Sequence, residues 1–245
     1  MWEGDGAMRE RSEVRERGGR RGHGVIRKLA IAAFVLLAVL LLLDRVGVLV
    51  AESAVARTVQ RSQQLGAQPD VDISGFPFLT QLVAEDLDRV TITSEDVPIG
   101  NDDVTLNLSR VRAVMHDVNV NLSLHSVTIG HGDAIAVLSY AQLSTTLDPV
   151  RLGYGGNHDV RATVTVLGRN LHVDVSPNLV GNALEFGIAG VTDLPPAVVE
   201  KAAELLGKQI PLDKIPFGLK LESLSAEPDG VALHLSGDNV TFQRR

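Results

Sequence analysis

The chain has 245 residues, no cysteine and a formal net charge of −7, from 23 basic and 30 acidic side chains. Without cysteine it can be neither an acylated lipoprotein nor a disulfide-stabilised domain, so packing and hydrogen bonds must hold it together. Its first 28 residues carry eight basic and five acidic side chains, which leaves 15 basic and 25 acidic ones from Leu29 onward. That acidic balance argues against nucleic acid as a partner and against broad adhesion to anionic lipid.

Residues 1–24 are polar, rich in Arg and Gly, and without apolar periodicity. We interpret them as a disordered tail. Contact with anionic lipid is the alternative, but the interspersed Glu10, Glu13 and Glu16 weaken it.

The segment Leu29–Leu43 follows, and none of its fifteen side chains is polar. Its large apolar residues favour membrane insertion by about 5 kcal/mol. Fifteen helical residues rise only about 22 Å, less than the ~30 Å of a hydrocarbon core, so a span must extend on both sides. We therefore predict a transmembrane anchor at residues 25–50, in which Arg27, Lys28 and Arg45 extend their charges to the membrane surface.

The basic residues before the anchor predict a cytoplasmic N-terminus, so that residues 51–245 form an exported domain on the cell (inner) membrane. A cleaved signal peptide is the alternative, because Ala54-Val55-Ala56 offers a cleavage site. That site lies thirteen residues beyond Leu43, farther than a signal peptidase usually reaches, so an uncleaved single-pass anchor is favoured.

Beyond the anchor, helical spacing continues to about Leu65, and Gly66 ends it. The apolar stripe is thin, which suggests a stalk that lies against a sheet. The stretch Gly75-Phe76-Pro77-Phe78-Leu79-Thr80-Gln81-Leu82 then predicts a turn and a short helix, because Pro77 favours an extended Phe76 and suits a first helical turn. Ile215-Pro216-Phe217-Gly218 is a weaker echo of this stretch, just before a predicted strand.

Most of the remaining chain alternates apolar and polar residues with period two, which predicts antiparallel strands with one apolar face. Parity slips at Arg110 and near Ser126 are interpreted as bulges that curve long strands. The prediction is an α+β fold with a curved, mainly antiparallel sheet. Strand patterns occur at Leu87–Ile92, Val104–Leu108, Val118–Leu124, Val160–Val166, Leu171–Val175, Leu184–Ile188, Leu219–Leu221 and Val231–Leu235.

Two helices interrupt the strands. Tyr140–Leu147 is short and ends before Pro149, whereas Asp193 caps a longer helix that runs to about Lys208. The longer helix either covers part of the apolar sheet face or closes one side of an apolar groove.

No catalytic motif is present: there is no nucleophile elbow, no His-Glu-x-x-His, no phosphate loop and no cysteine nucleophile. His131 and Asp133, with His125 nearby, and the pair Asp102-Asp103 are weak metal candidates that turns and polar strand faces explain as well. Asn157-His158-Asp159 is interpreted as a loop. We predict no catalytic residue, no metal and no cofactor, and an enzyme is the minor alternative.

Several stretches together resemble the actinobacterial LmeA-like phospholipid-binding family, and Gly75–Gln81 is the most specific of them. The others are the basic tail, the apolar run ending in Asp44-Arg45, Ala51-Glu52-Ser53, Ile73-Ser74 and Ile215-Pro216-Phe217-Gly218-Leu219. The resemblance implies a tubular lipid-binding fold, with a curved sheet wrapped on a long helix around an apolar groove. It also implies binding of phospholipids, phosphatidylinositol types among them, and support of lipomannan (lipoglycan) elongation in the envelope, with an envelope glycosyltransferase as a possible partner.

A groove that binds phospholipid needs apolar walls and an apolar rim. Our candidates are Phe76, Phe78, Leu79, Leu82, Phe186, Ile188, Phe217 and Leu219. The rival hypothesis is a structural or scaffolding envelope protein whose apolar residues form only a packed core, in which these side chains fill the ends of that core.

Overall fold

The computed structural model describes residues 22–100, 105–121, 126–166, 169–190, 200, 203–212, 215 and 218–243. It contains two compact units, residues 1–43 and 44–245. The elements in chain order are α1 (Gly22–Ser62), β1 (Asp70–Ser74), α2 (Phe78–Ala84), β2 (Asp86–Ser94), β3 (Val97–Gly100), β4 (Thr105–Leu108), β5 (Arg110–Asn121), β6 (Ser126–Ser139), α3 (Tyr140–Thr146), β7 (Arg151–Gly156), β8 (Asp159–Val166), β9 (Arg169–Val180), β10 (Ala183–Gly190), β11 (Ile210–Pro211), β12 (Lys220–Glu227) and β13 (Gly230–Gln243).

In the first unit, residues 25–43 are helical and every side chain is exposed. The helix Val25–Ser62, which these residues begin, is long and apolar enough to cross a membrane. Residues 1–21 of the predicted tail lie outside the described residues.

In the second unit, α1 continues to Ser62, close to the predicted end at Leu65. It is more than a surface stalk, because Val48 and Ala56 are buried and join a hydrophobic cluster with β1, β2, β5 and α2. The Glu52 carboxylate also accepts a hydrogen bond from the backbone N–H of Ile73, at 3.0 Å.

The second unit is built on antiparallel sheets, as the alternation predicts. A six-stranded sheet has the order β1-β2-β5-β6-β13-β12, a five-stranded sheet has the order β11-β10-β9-β8-β7, and β3 and β4 form a separate hairpin. The larger hydrophobic cluster joins residues of both sheets, the hairpin and α3. The α+β class with antiparallel sheets is therefore confirmed, and the strands divide between two sheets and a hairpin.

In four neighbouring strands of the larger sheet, the alternation of inward and outward side chains is interrupted at one residue. These four residues lie side by side across the sheet and form one row: Asp88, Asp117, Gly130 and Asn239. The strand register is the same before and after this row, so no residue is inserted. Asp117 and Asn239 each have a φ of 52°, and a Cβ on Gly130 would lie 2.9 Å from that of Asp117. The row lets inward side chains fall three positions apart on each strand: Leu87 and Val90, Met115 and Val118, Ile129 and Gly132, Gly237 and Val240.

The two predicted bulges are wrong. At Arg110 the chain leaves the β3–β4 hairpin and enters the larger sheet, so Ser109 separates two strands. At Ser126 a new strand begins, paired with the end of β5 at Asn121. In both cases the break in the apolar–polar alternation marks the end of one strand and the start of the next. A bulge within a strand and a change from one strand to another give the same break in the sequence pattern.

The short helix at Tyr140 is confirmed as α3, which Ser139 caps through its hydroxyl. The longer helix predicted from Asp193 lies mostly outside the described residues, although Glu200 and residues 203–206 are helical. The loop predicted at Asn157-His158-Asp159 is confirmed for Asn157 and His158, which form the left-handed turn between β7 and β8, but Asp159 is the first residue of β8.

Candidate functional site

The segment Gly75–Ala84 is held by the strand that follows it. The Gln81 side-chain oxygen accepts a hydrogen bond from the backbone N–H of Asp88 at 3.0 Å. Gly75 has a φ of +115°, and a Cβ at this position would collide with the Gln81 side chain. The Gly and the Gln of the motif therefore belong to one structural feature, a tight turn closed by an amide.

The helix α2 begins directly after Pro77, whose backbone is extended (φ −76°, ψ 138°). The short helix is as predicted, but Pro77 precedes its first turn. The Thr80 hydroxyl donates to the Pro77 carbonyl at 2.7 Å. Glu85 ends the helix in a left-handed conformation, and its N–H reaches the carbonyls of Gln81 and Leu82.

A buried carboxylate fixes α2 to α1. The Asp44 Oδ1 accepts the N–H of Leu79 at 2.9 Å, and Asp44 is only 3% exposed. Its Oδ2 has no hydrogen-bond partner among the described residues, and the Arg45 guanidinium lies 3.9 Å away. A Cβ at Gly47 would lie 3.5 Å from the nearest atoms of Phe78 and Leu79, an ordinary van der Waals distance, so α1 and α2 pack side by side here.

The four rim candidates on this segment separate into buried and exposed groups. Phe78 is 2% exposed and belongs to the smaller hydrophobic cluster, against which the half-buried Leu79 packs. Phe76 is 57% exposed and Leu82 is 38% exposed. The Arg45 guanidinium lies 5.1 Å from the centre of the Phe76 ring, within the range of a cation–π interaction.

Val83 was not a candidate, yet at 85% it is the most exposed large apolar residue of the described chain. No side chain from Gly75 to Ala84 is charged. The absence of charge in an acidic chain was the available signal for Val83, because an exposed helix end usually carries polar groups.

A second apolar feature lies under the larger sheet. A cavity of about 10 Å³ is lined by nine apolar side chains from β3, β4, β5, β6 and β13 and from the segment before β12. The lining residues are Ile99, Leu108, Val111, Ala134, Ala136, Ile215, Leu219, Leu233 and Leu235.

Of the predicted groove residues that the structure describes, Leu219 lines this cavity. Phe186 is buried in the same hydrophobic cluster, Ile188 packs against it half-buried, and Phe217 lies outside the described residues. Sequence reasoning missed Ala134 and Ala136, which face the cavity from β6. Their small size is the signal, since Ala at two successive inward positions leaves room on a strand.

The cavity is small in this conformation. Sites that enclose a small ligand measure about 300–1,000 Å³, and about 10–15 Å³ is needed for one water molecule. A lipid tail therefore fits only if the side chains around the cavity move apart.

Comparison with known families decides what kind of protein this is. The family model described as LmeA-like phospholipid-binding matches residues 42–236. The chain belongs to the LmeA-like phospholipid-binding family. Neither curated proteins nor solved structures give a match. The matched range includes Asp44, all of α2 and every residue that lines the cavity.

The polar groups of this LmeA-like domain form local pairs. Both ring nitrogens of His131 contact carboxylates, Asp238 at 2.7 Å and Asp133 at 2.9 Å. These acceptors raise the pKa of His131, first through the hydrogen bond to Asp238 and then through the charge of Asp133. Among the described residues, no group of three or more acidic or His side chains has metal-binding geometry. His125 and Asp102-Asp103, the other metal candidates, lie outside that part of the chain.

Tyr140 is the other titratable group with a shifted pKa in the described chain. Burial raises its pKa to about 12, and its hydroxyl donates to the Glu227 carbonyl at 2.8 Å. A neutral phenol that donates to backbone is a structural link between α3 and β12. It offers neither an acid nor a base near neutral pH.

Proposed function

We propose that this protein holds phospholipid with its acyl chains inserted at the cavity under the larger sheet. The match to a phospholipid-binding family over residues 42–236 carries the proposal, because it includes the whole cavity. The walls suit acyl chains and not head groups, since all nine lining residues are apolar. The head group then stays at the surface, and bulk charge has little part in binding because the chain is acidic.

The path of a tail into the cavity follows from the elements around it. Among the described strands, β3 and β4 pair with each other and not with the larger sheet, so Ile99 on β3 can move away from β5 and β6 without breaking that sheet. The end of β4 is held, because the N–H of Ser109 donates to the Val137 carbonyl at 2.8 Å and that of Asn107 to the Gln142 side chain at 2.9 Å. Ala134 and Ala136 on β6 form the opposite wall. Of our predicted residues, Leu219 contacts the tail directly in this proposal, whereas Phe186 and Ile188 support the core behind it.

The protein is anchored, in this proposal, by residues 25–50, with residues 1–24 in the cytoplasm and residues 51–245 exported from the inner membrane. The exposed apolar stretch of α1 supports an anchor. A signal peptide also satisfies this observation, so the intact mass of the protein purified from membranes is the test. A mass corresponding to a chain that begins after Ala56 would exclude the anchor.

The resemblance supports a non-enzymatic role in lipomannan elongation or envelope maintenance, with a glycosyltransferase as partner. In this role the domain presents or senses a phospholipid, and no residue of the chain performs bond chemistry. Loss of the protein is expected to shorten lipomannan. Unchanged lipomannan in a deletion strain would exclude this role and leave lipid binding intact.

Lipid extracted from the purified full chain and identified by mass spectrometry tests binding itself. Ala134→Val narrows the cavity, and overpacking of about 1–3 kcal/mol is expected to lower retained lipid about tenfold. Ala162→Val is the matched control, because Ala162 is equally buried but sits on β8, away from the cavity. Equal lipid content in the two variants would contradict the proposed location.

One observation favours a second candidate function, a scaffolding protein that binds no lipid. The cavity of about 10 Å³ shows that the core packs almost completely without a ligand. Absence of lipid in the extract, together with no uptake of a fluorescent phospholipid, would select this alternative.

A further inference from the structure

The exposed apolar side chains of the α2 segment lie beside the first residues after the apolar run. Asp44 follows Leu43 directly, and it binds the backbone of α2 at Leu79. Gly47, one turn further along α1, lies beside Phe78 and Leu79 of the same helix. The Asp44 hydrogen bond thus fixes the segment at the start of the second unit, where the two helices pack side by side.

The neighbouring surface of α1 is also apolar. Val46, Leu49 and Val50 are each more than half exposed. Water-facing helices rarely carry three such residues within five positions, and the sequence assigns them to the last turns of the predicted span at residues 25–50. Their natural surroundings are lipid, and α2 is held at the same level.

The charges at this level suit a membrane surface. The Asp44 carboxylate is covered, so it does not face the surroundings. Arg45 is an exposed positive charge, with 61% of its side chain accessible, and its guanidinium lies over the Phe76 ring, whereas the exposed Asp86 and Asp88 follow α2 at the start of β2. Arg with an aromatic partner is a typical composition for the boundary between head groups and acyl chains.

We infer that Phe76, Leu82 and Val83 form a membrane-contact surface that inserts into the interface of the bilayer that holds the anchor. This inference rests on the proposed anchor. Its consequence is that α2 lies against the lipid of that bilayer. The surface serves for contact with the bilayer, and the cavity under the sheet remains the site for a bound lipid tail.

Single cysteines test this surface, because the chain has none of its own. Val83→Cys and Phe76→Cys are labelled with an environment-sensitive fluorophore in the full-length protein, which is reconstituted in vesicles of phosphatidylcholine and phosphatidylglycerol. Asp229→Cys is the control. Asp229 is exposed and directly precedes β13. The opposite end of β13 pairs with the start of β6, the start of β6 pairs with the end of β5, and the end of β5 pairs with the start of β2, which directly follows α2. The fourteen residues of β13 extend about 45 Å.

We expect a blue shift of emission at positions 76 and 83, quenching by nitroxide-labelled lipid and loss of quenching by iodide. The control at position 229 should show the opposite pattern. Only protein that floats with the vesicles is measured, which separates the two proposals. Floating protein with all three probes equally open to iodide would overturn the membrane-contact surface alone, and protein that does not float would overturn the anchor together with it.

Discussion

Gly75 gives a physical reason for the most specific stretch of the sequence. Its backbone has a φ that side chains rarely adopt, and the space a Cβ would occupy is filled by the Gln81 amide. That amide in turn binds β2 through the Asp88 N–H. The glycine is therefore required by conformation and by a close approach, and it sets the path into α2.

The substitution Gly75→Ala should destabilise the protein by about 2 kcal/mol or more, because it combines an unfavourable φ with a collision. Chemical denaturation followed by circular dichroism measures this difference. Gly66→Ala is the matched control, since no atom lies within 4 Å of a Cβ there. Similar unfolding midpoints for both variants would show that Gly75 is not constrained.

The two phenylalanines around Pro77 show what sequence reasoning cannot provide at this scale. Both were predicted as rim residues, yet Phe78 is buried and Phe76 is exposed. The difference arises from tertiary packing, because Phe78 lies beside Gly47, 31 positions earlier in α1, and joins the smaller hydrophobic cluster. Nothing near Phe76 or Phe78 in the sequence reports this distant contact. An Asp at Phe78 would therefore disrupt the core, whereas Phe76 alone can test a surface role.

At the scale of elements, α1 and α2 are joined by one buried hydrogen bond. Leu79 is in the first turn of α2, where backbone N–H groups have no partner within the helix. The Asp44 carboxylate provides that partner from the other helix. This hydrogen bond therefore has two effects: it gives an unpaired N–H group of the first turn of α2 an acceptor, and it fixes α2 on α1.

Asp44→Ala should release the first turn of α2, while Asp44→Asn keeps an oxygen that can accept the bond. A lost hydrogen bond to a charged acceptor costs about 1.5–3 kcal/mol, which corresponds to roughly ten- to hundredfold faster exchange of the Leu79 amide. Hydrogen–deuterium exchange on the full chain measures it. Equal protection in the Ala variant and the wild type would show that other contacts hold α2.

The strands themselves were largely predictable, and their boundaries and partners were not. Alternation at Val160–Val166 and Leu184–Ile188 corresponds to β8 and β10. β3, β6, β7 and β11 were missed. In β6 the run Ala134–Leu138 is continuously apolar, and in β7 the glycines Gly153, Gly155 and Gly156 interrupt the pattern, so neither strand alternates. The strands form two main sheets where one was predicted, because the alternating pattern of a strand does not indicate which sheet the strand joins.

Across the whole molecule, strongly acidic composition coexists with a membrane-type helix and an apolar cavity. The 15 basic and 25 acidic residues from Leu29 onward leave little attraction for anionic head groups. Apolar burial must then provide the affinity for lipid under the proposed function. The class of fold and the family followed from the sequence, but the closed state of the cavity depends on side chains from five strands.

Uptake of a fluorescent phospholipid by the full chain should therefore change little between about 0.05 and about 0.5 M NaCl, although screening shortens from ~14 to ~4 Å. Stopped-flow fluorescence measures the rate and the final level. A zwitterionic and an anionic phospholipid with the same acyl chains provide the internal control. A steep loss of uptake for the anionic lipid alone would point to recognition through Arg contacts.

The shared row at Asp88, Asp117, Gly130 and Asn239 has a consequence for how this domain tolerates change during evolution. A one-residue deletion in any of the four strands would turn that strand's inward residues outward on one side of the row, while its neighbours kept their places. Insertions and deletions in relatives are thus expected outside these strands, in the connecting turns. In all four strands, the two inward positions on either side of the row should remain three residues apart.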